Sequence, residues 1–346
     1  MRISNAYGKT PLALADVRIA RSAGGAAVMT STSAQLTFAG RSSIVLQPGE
    51  EADSDAAAID LRAGEPYAVS AYAGPKQAMT AWHRVANEVN YVSIPGDHTG
   101  DAAPTAYTTK FTQYAWVTGI SVRRAPPAVA IAAIGDSITD GLRSTLGRNR
   151  RWPDGLARRL AVEGDASAAV LNFGISGNRL LSDSACYGEA LERRFERDAL
   201  GHAGVKTVIV LIGINDINFA AMPAHKGLDC DAPHTVVTAN DLTEGYRRLI
   251  AAAHRHGVRV VGATLTPAAL PATREGIRLA VNKWIRTSGE FDGVIDFDAA
   301  LRDPVNADRL RTDYDSGDHI HPSDAGYAAM AAAVPSGALS NVARRQ

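Results

Sequence analysis

A serine hydroxyl becomes a nucleophile at neutral pH when a base within hydrogen-bond reach takes its proton and a third group holds that base in the right tautomer. Two distant segments carry those residue types, Ile134-Gly135-Asp136-Ser137-Ile138-Thr139-Asp140-Gly141 and Asp318-His319-Ile320-His321-Pro322. Ser137 would attack, His321 would accept its proton, and Asp318 would orient the imidazole. Asp318 and His321 stand three apart and just ahead of Pro322, where the chain must stay extended or turn, so one short loop can present both side chains. Taken alone, Gly135-Asp136-Ser137 fits an ordinary turn after a strand just as well. Its surroundings decide between the two.

Ser137 follows the apolar run Ala128-Val129-Ala130-Ile131-Ala132-Ala133-Ile134, the pattern of a buried strand that delivers a residue to the loop at its carboxyl end. Val170-Leu171-Asn172-Phe173 is a second such run and ends in Gly174-Ile175-Ser176-Gly177-Asn178. Val208-Ile209-Val210-Leu211-Ile212 is a third and ends in Gly213-Ile214-Asn215-Asp216. In an open parallel sheet the carboxyl ends of the strands line one crevice, so the three glycine-containing loops should converge.

Block by block, this pattern resembles the SGNH hydrolase superfamily, also called GDSL esterases and lipases. Gly135-Asp136-Ser137 is similar to the first block, Gly177 to the glycine of the second, Asn215 to the third, and Asp318-His319-Ile320-His321 to the last. The resemblance runs over roughly residues 128 to 336, and four blocks in order are far more specific than any one of them. It implies that Ser137 attacks an acyl carbonyl, with His321 as base and Asp318 as its orienting acid. It also implies an oxyanion hole made of the backbone N–H groups of Ser137 and Gly177 and the side-chain amide of Asn215. Asp136, Asp140 and Asp216 lie in or beside these blocks, and the resemblance implies that Asp140 and Asp216 brace the loops through backbone N–H groups. No cofactor and no metal are called for.

Length and composition point to two domains. The 346 residues are 46% hydrophobic, enough for sizeable cores, and the character of the chain breaks at Arg123-Arg124-Ala125-Pro126-Pro127. Residues 1–125 are dense in Ser, Thr, Gly and Ala, with alternating stretches such as Tyr67-Ala68-Val69-Ser70-Ala71-Tyr72 and turns at Pro48-Gly49, Gly74-Pro75 and Pro95-Gly96. We expect an antiparallel, jelly-roll-like β-sandwich there. Residues 126–346 alternate strands and helices, which predicts an α/β domain with a three-layer, doubly wound parallel sheet, flavodoxin-like in its strand order. Helices are expected over Pro153–Glu163, Gly188–Leu200, Thr238–His256, Arg274–Ser288 and Ser323–Val334, with further strands at Val258–Leu265 and Val294–Phe297.

Formal net charge is zero, from 36 basic and 36 acidic residues, so no broad field draws the chain to nucleic acid or an anionic membrane. No run approaches the length of a membrane span. Cys186 and Cys230 follow the second and third blocks among polar and turn residues, and a disulfide between them is favoured over two unpaired thiols. That favours a periplasmic or secreted setting, and a sequence that opens directly in what reads as a strand leaves room for a leader or a preceding strand ahead of it. His319 with His321, and Asp229, Cys230, Asp231 and His234, hint at metal ligands, but no third and fourth ligand stand at zinc-like spacing. His254 and His256 close a helix and read as surface residues. The mixed-charge run Glu192 to Asp198 reads as a solvated helix face. Most of the aromatics Trp82, Tyr91, Tyr107, Tyr114 and Trp116 are expected in the sandwich core, with His83 and Tyr107 as candidates for a substrate wall.

Three functions stay open on this reading. One is a serine esterase on small or short-chain carboxylic esters; another is a carbohydrate O-acetyl esterase of the acetylxylan type, with the β-domain holding the glycan. The last is a non-catalytic carbohydrate-binding protein with a relic site, which should have lost at least one of Ser137, Asn215, Asp318 or His321; none is lost. The partner is thus a small-molecule or glycan ester, and oligomeric state is left open.

Overall fold

The computed structural model describes residues 1–74, 76–123, 129–163 and 168–339. Residues 124–127 of the expected boundary, Pro75 of the Gly74-Pro75 turn and Ala128 of the first apolar run lie outside them. The chain divides into two compact units, Met1–Arg123 and Arg124–Gln346.

The first unit is built from antiparallel strands. Its hub is the long strand Leu12–Gly24, which pairs with Ala27–Val28, Ala34–Gln35, Ser43–Leu46 and Tyr67–Tyr72. A second sheet orders Val117–Gly119, Arg2–Ser4 and Glu51–Asp53. Ile3 of this sheet shares one core with Leu12, Leu14, Val17, Ile19, Leu36, Phe38 and Leu46, so the two sheets bury their apolar faces against each other. Two of the aromatics expected in that core are not there. Trp82 is 52% exposed and Tyr114 40% exposed, because they sit on a two-stranded ribbon, Trp82–His83 with Tyr114–Ala115, that is not part of either sheet. Trp116, by contrast, packs against the core. Tyr107 donates its hydroxyl to the carbonyl of His98 at 2.8 Å, and His83 pairs with Tyr114 in the ribbon.

The second unit holds a five-stranded parallel sheet of β1 (Val129–Gly135), β2 (Ala168–Gly174), β3 (Val205–Leu211), β4 (Arg259–Ala263) and β5 (Gly293–Ile295), in the order β2-β1-β3-β4-β5. This is the flavodoxin-like order, with its reversal at β1. The central strands are apolar without alternation because helices cover both faces: Ile131, Ala132, Ala133 and Ile134 of β1 are fully buried, as are Val208 and Ile209 of β3. Helix α1 (Ser137–Asp140) opens directly off β1, and α2 (Trp152–Val162) packs against the closing helix. The short α3 (Leu191–Phe195) and α4 (Ile214–Phe219) follow β2 and β3, and α5 (Ala239–Arg255) and α6 (Ala272–Thr287) pack on each other. The last two are α7 (Phe297–Leu301) and α8 (Asp324–Ala333), the partner of α2.

Local chemistry explains the boundaries. Thr238 accepts from the Asp241 N–H at 3.2 Å while Asp241 accepts back from the Thr238 N–H at 2.8 Å, a reciprocal cap that starts α5. Leu242, Tyr246, Leu249, Ile250 and Ala253 are buried along its inner stripe. Two expectations need correction. The segment Gly188–Leu200 becomes helical only from Leu191, since the Asn178 side chain donates to the carbonyls of Tyr187 and Glu189 and holds that stretch in a turn, with Gly188 at a φ of +78°. Phe297 starts α7 instead of ending a strand, because the Asp296 side chain caps the Ala299 N–H at 3.0 Å.

Register sets the level of the site. Gly135, at the end of β1, pairs with Gly174 of β2 and Leu211 of β3, so all three strands release their loops at one height. A Cβ at Gly174 would lie 2.1 Å from the backbone nitrogen of Asp140, so only glycine lets α1 approach β2 this closely.

Candidate active site

Ser137 is the first residue of α1. The carboxylate of Asp136 caps the helix by accepting from the Ile138 N–H at 3.0 Å, and Gly141 ends it in a left-handed conformation. A turn this tight leaves Ser137 at the carboxyl end of β1, and its Oγ lies 2.8 Å from Nε2 of His321. Nδ1 of His321 lies 2.8 Å from Oδ2 of Asp318. Oδ1 of Asp318 accepts from the backbone N–H groups of Ile320 at 3.1 Å and His321 at 2.8 Å. These bonds outweigh the cost of burial and hold the Asp318 carboxyl far below the ordinary carboxylate range. An ionised Asp318 accepts from Nδ1–H, which leaves Nε2 of His321 as the acceptor for the serine proton. The loop is itself braced: Asp315 pairs with His319 at 2.6 Å, and the Ser316 N–H donates to the carbonyl of His321 at 3.1 Å.

The other two blocks come to the same place. Asp140 Oδ2 accepts from the N–H of Ser176 at 3.0 Å and from its hydroxyl at 2.7 Å, and the Ile175 N–H donates to the Gly135 carbonyl at 3.1 Å. Asp216 takes the N–H groups of Leu180 at 2.8 Å and Leu181 at 3.0 Å. Asn215 Nδ2 donates to the carbonyl of Asn178 at 3.0 Å, which uses one of its two hydrogens. Among the described residues, no acceptor pairs with the backbone N–H of Ser137 or of Gly177. Gly177 has a φ of +82°, and a Cβ there would sit 2.4 Å from the ring of Tyr187. Its glycine is therefore a requirement of both backbone and space.

Three carboxylates lie beneath this surface. Burial pushes Asp136 up to about 7, with Asp216 and Asp140 adding repulsion against the N–H of Ile138, and it pushes Asp216 up to about 6. Asp136 Oδ2 has no hydrogen-bond partner among the described residues. A carboxyl whose native value lies above its ordinary 3.8 favours the folded state most below that value and gives the contribution up as pH climbs to about 7. Asp136→Asn keeps the oxygen that caps Ile138, so it should flatten the fall in stability between about pH 4 and 7. Denaturant titrations at several pH values check this, and an unchanged slope would mean that Asp136 stays ionised.

Cys186 and Cys230 form a disulfide, as expected from their settings. Around it the Ser184 hydroxyl donates to the Cys230 carbonyl at 2.6 Å, and the guanidinium of Arg179 donates to the carbonyls of Asp183, Asp231 and Pro233. His234 lies 2.9 Å from Asp229 Oδ2 and 3.0 Å from the Phe219 carbonyl. Both partners accept, so each ring nitrogen needs a proton, and the bond to Asp229 raises His234 while holding Asp229 down at about 2. The ring of Tyr187 packs on that of Phe219 at 5.6 Å between centroids, beside Gly177.

Arg194 corrects the reading of its segment as a solvated face. It is 1% exposed and donates to the carbonyls of Gly135 and Phe173 at 3.0 Å each and to the Asn178 side chain at 3.1 Å, tying the ends of β1 and β2 to the second block. The signal was present, since Leu191, Arg194 and Phe195 share one helix face and the apolar pair marks it as inward. Arg143, whose Nε donates to Asp318 Oδ2 at 3.0 Å across 175 residues of sequence, left no such trace.

The model of the GDSL-like lipase/acylhydrolase family matches residues 133–329. Among solved structures, the chain is similar to the native aryl esterase of M. smegmatis (16% identity, TM-score 0.47, covering 62% of this chain and 99% of that one). It is also similar to a carbohydrate acetylesterase family member from Sinorhizobium meliloti (15%, 0.46, 62% and 100%) and a GDSL-like lipase from Bacteroides thetaiotaomicron VPI-5482 (17%, 0.41, 61% and 88%). No curated protein matches the sequence. Because the family match spans more than half of the 346 residues and holds all four blocks, the chain belongs to the GDSL-like lipase/acylhydrolase family and is a carboxylic ester hydrolase.

Proposed function

We propose that the protein is a serine esterase acting on short-chain carboxylic esters through an acyl-enzyme. The observation that carries this reading is the unbroken hydrogen-bond path from Ser137 Oγ through His321 to Asp318, with both links at 2.8 Å. As Ser137 attacks the carbonyl carbon, His321 Nε2 takes its proton and Asp318 stabilises the imidazolium. Negative charge on the former carbonyl oxygen is met by the N–H groups of Ser137 and Gly177 and the second amide hydrogen of Asn215. Collapse expels the alcohol, which takes the proton from His321. Water then gives a proton to His321 as it attacks the acyl carbon, and His321 returns that proton to Ser137 Oγ as the acyl–serine bond breaks and the acid leaves.

The preference for short acyl groups is supported by the wall beside Gly177. Tyr187 abuts the glycine and packs against Phe219, and the disulfide at the neighbouring Cys186 holds that loop. A braced wall does not open for a long chain. A series of p-nitrophenyl esters tests this: kcat/KM should peak at acetate to butyrate and fall by roughly tenfold or more by octanoate, at about 1–3 kcal/mol for each poorly fitted methylene. A peak at long acyl chains would overturn it.

The carbohydrate O-acetyl esterase reading is favoured by one observation, the exposed rings of Trp82 and Tyr114, which suit stacking on sugar. Acetate release from acetylated xylan that falls in Trp82→Ala, with p-nitrophenyl acetate turnover unchanged, would select this reading over the first.

A further inference from the structure

We propose that Arg143 is a positioning residue that sets the acid edge of the activity profile, acting through Asp318 on the charge state of His321. The proposal rests on the serine esterase reading and deepens it. Its ground is geometric. Oδ2 of Asp318 is shared: His321 Nδ1 lies 2.8 Å from it and Arg143 Nε donates to it at 3.0 Å. The same carboxylate that must stabilise the imidazolium is thus partly neutralised by a guanidinium.

The segment that carries Arg143 is held for this contact. Arg143 has a φ of +73°, a left-handed conformation that costs a non-glycine residue about 1 kcal/mol or more. On either side the chain is clamped: the Tyr327 hydroxyl donates to the Leu142 carbonyl at 2.7 Å, and Thr145 gives its N–H and hydroxyl to Asp324 at 2.8 and 2.6 Å. The Ser144 hydroxyl returns to the Gly141 carbonyl at 2.7 Å. Strain at a residue fixed by its neighbours on both sides aims the side chain at Asp318. Because the guanidinium is 58% exposed, burial of the arginine itself does not account for its placement.

The consequence follows from Coulomb's law. A cation beside Asp318 opposes positive charge on His321, so the guanidinium at 3.0 Å weakens the carboxylate's hold on the imidazolium. The other charged groups round the pair have partners of their own. Asp315 is held by His319, Asp324 by Thr145 and by Arg150 at 3.6 Å, and Asp140 by Ser176. Tyr327, from α8, stays neutral through burial. Asp136, pushed up to about 7 by burial, also bears on the profile, so the informative quantity is the difference between variants.

The experiment compares kcat/KM for p-nitrophenyl acetate against pH in wild type, Arg143→Gln, Arg143→Ala and Arg143→Lys, at low salt and in about 1 M salt. Gln and Ala should move the acid limb up by about half a pH unit at low salt, Lys should hold it near wild type, and high salt should bring wild type towards the neutral variants. A limb that stays in place in Gln and Ala, whether or not the plateau falls, would overturn the proposal, as would a Lys variant that shifts as far as Gln. Labelling of Ser137 by an organophosphonate in every variant separates the two claims, since failure to label wild type would strike the serine esterase reading itself.

Discussion

Ser137→Ala is expected to lower kcat on p-nitrophenyl acetate to background, a loss of about 10⁶-fold, because without the hydroxyl no acyl-enzyme forms and the other members of the site cannot compensate. The fold should persist. Ser137 is 5% exposed, yet its Oγ has His321 as its partner, and the cap that starts α1 belongs to Asp136. Loss of that one bond should cost about 1 kcal/mol. The measurement pairs steady-state kinetics with near-UV circular dichroism and phosphonate labelling read by intact mass. A variant that folds, resists the label and does not turn over is the expected result. Retained turnover at even a tenth of wild type would end the serine mechanism.

The second large effect is at Asn215. Asn215→Ala should lower kcat by about 10²–10³, equivalent to roughly 3–4 kcal/mol, with KM little changed. The reason is timing: in the proposed mechanism the amide hydrogen meets an oxygen that becomes anionic in the transition state, so the interaction is stronger there than in the bound ester. The other hydrogen of the same amide supports the Asn178 carbonyl at 3.0 Å, so the variant should also lose stability by about 1–3 kcal/mol where that carbonyl goes short of a donor. The kinetic and structural losses can be told apart by temperature, because a slackened loop worsens on warming while a missing donor does not recover on cooling. If KM rises and kcat stays, Asn215 binds the ground state and the assignment of the oxyanion donors fails.

How far the site could be read without coordinates depends on how local its logic is. Asp318 and His321 are three residues apart, and the contact between them needs only a tight loop before Pro322. Glycine at 177 was legible through its motif, while its physical cause, the Tyr187 ring pressing where a Cβ would be, comes from a residue ten positions on and is set by the path of the loop. Arg194 shows a different limit. A guanidinium in a mixed-charge run looks solvated, yet its donors reach two strand-end carbonyls and the Asn178 side chain, which compensates its burial. Trp82 and Tyr114 erred the other way, because hydrophobicity places an aromatic in a core only when the strand carrying it belongs to a sheet with a buried face.

By itself the sequence determined the five strands and the long helices of the second unit, the residues of the nucleophile turn and of the histidine loop, and the family to which they belong. These are consequences of periodicity and of motifs a few residues long, which the chain carries locally. Only the tertiary structure decided that Ser137 and His321, separated by 184 positions, meet at 2.8 Å, that Arg143 shares the carboxylate with His321, and that Arg194 lies inside. Those contacts depend on the register that levels Gly135 with Gly174 and Leu211 and on the packing of α2 against α8, and no spacing along the chain records either.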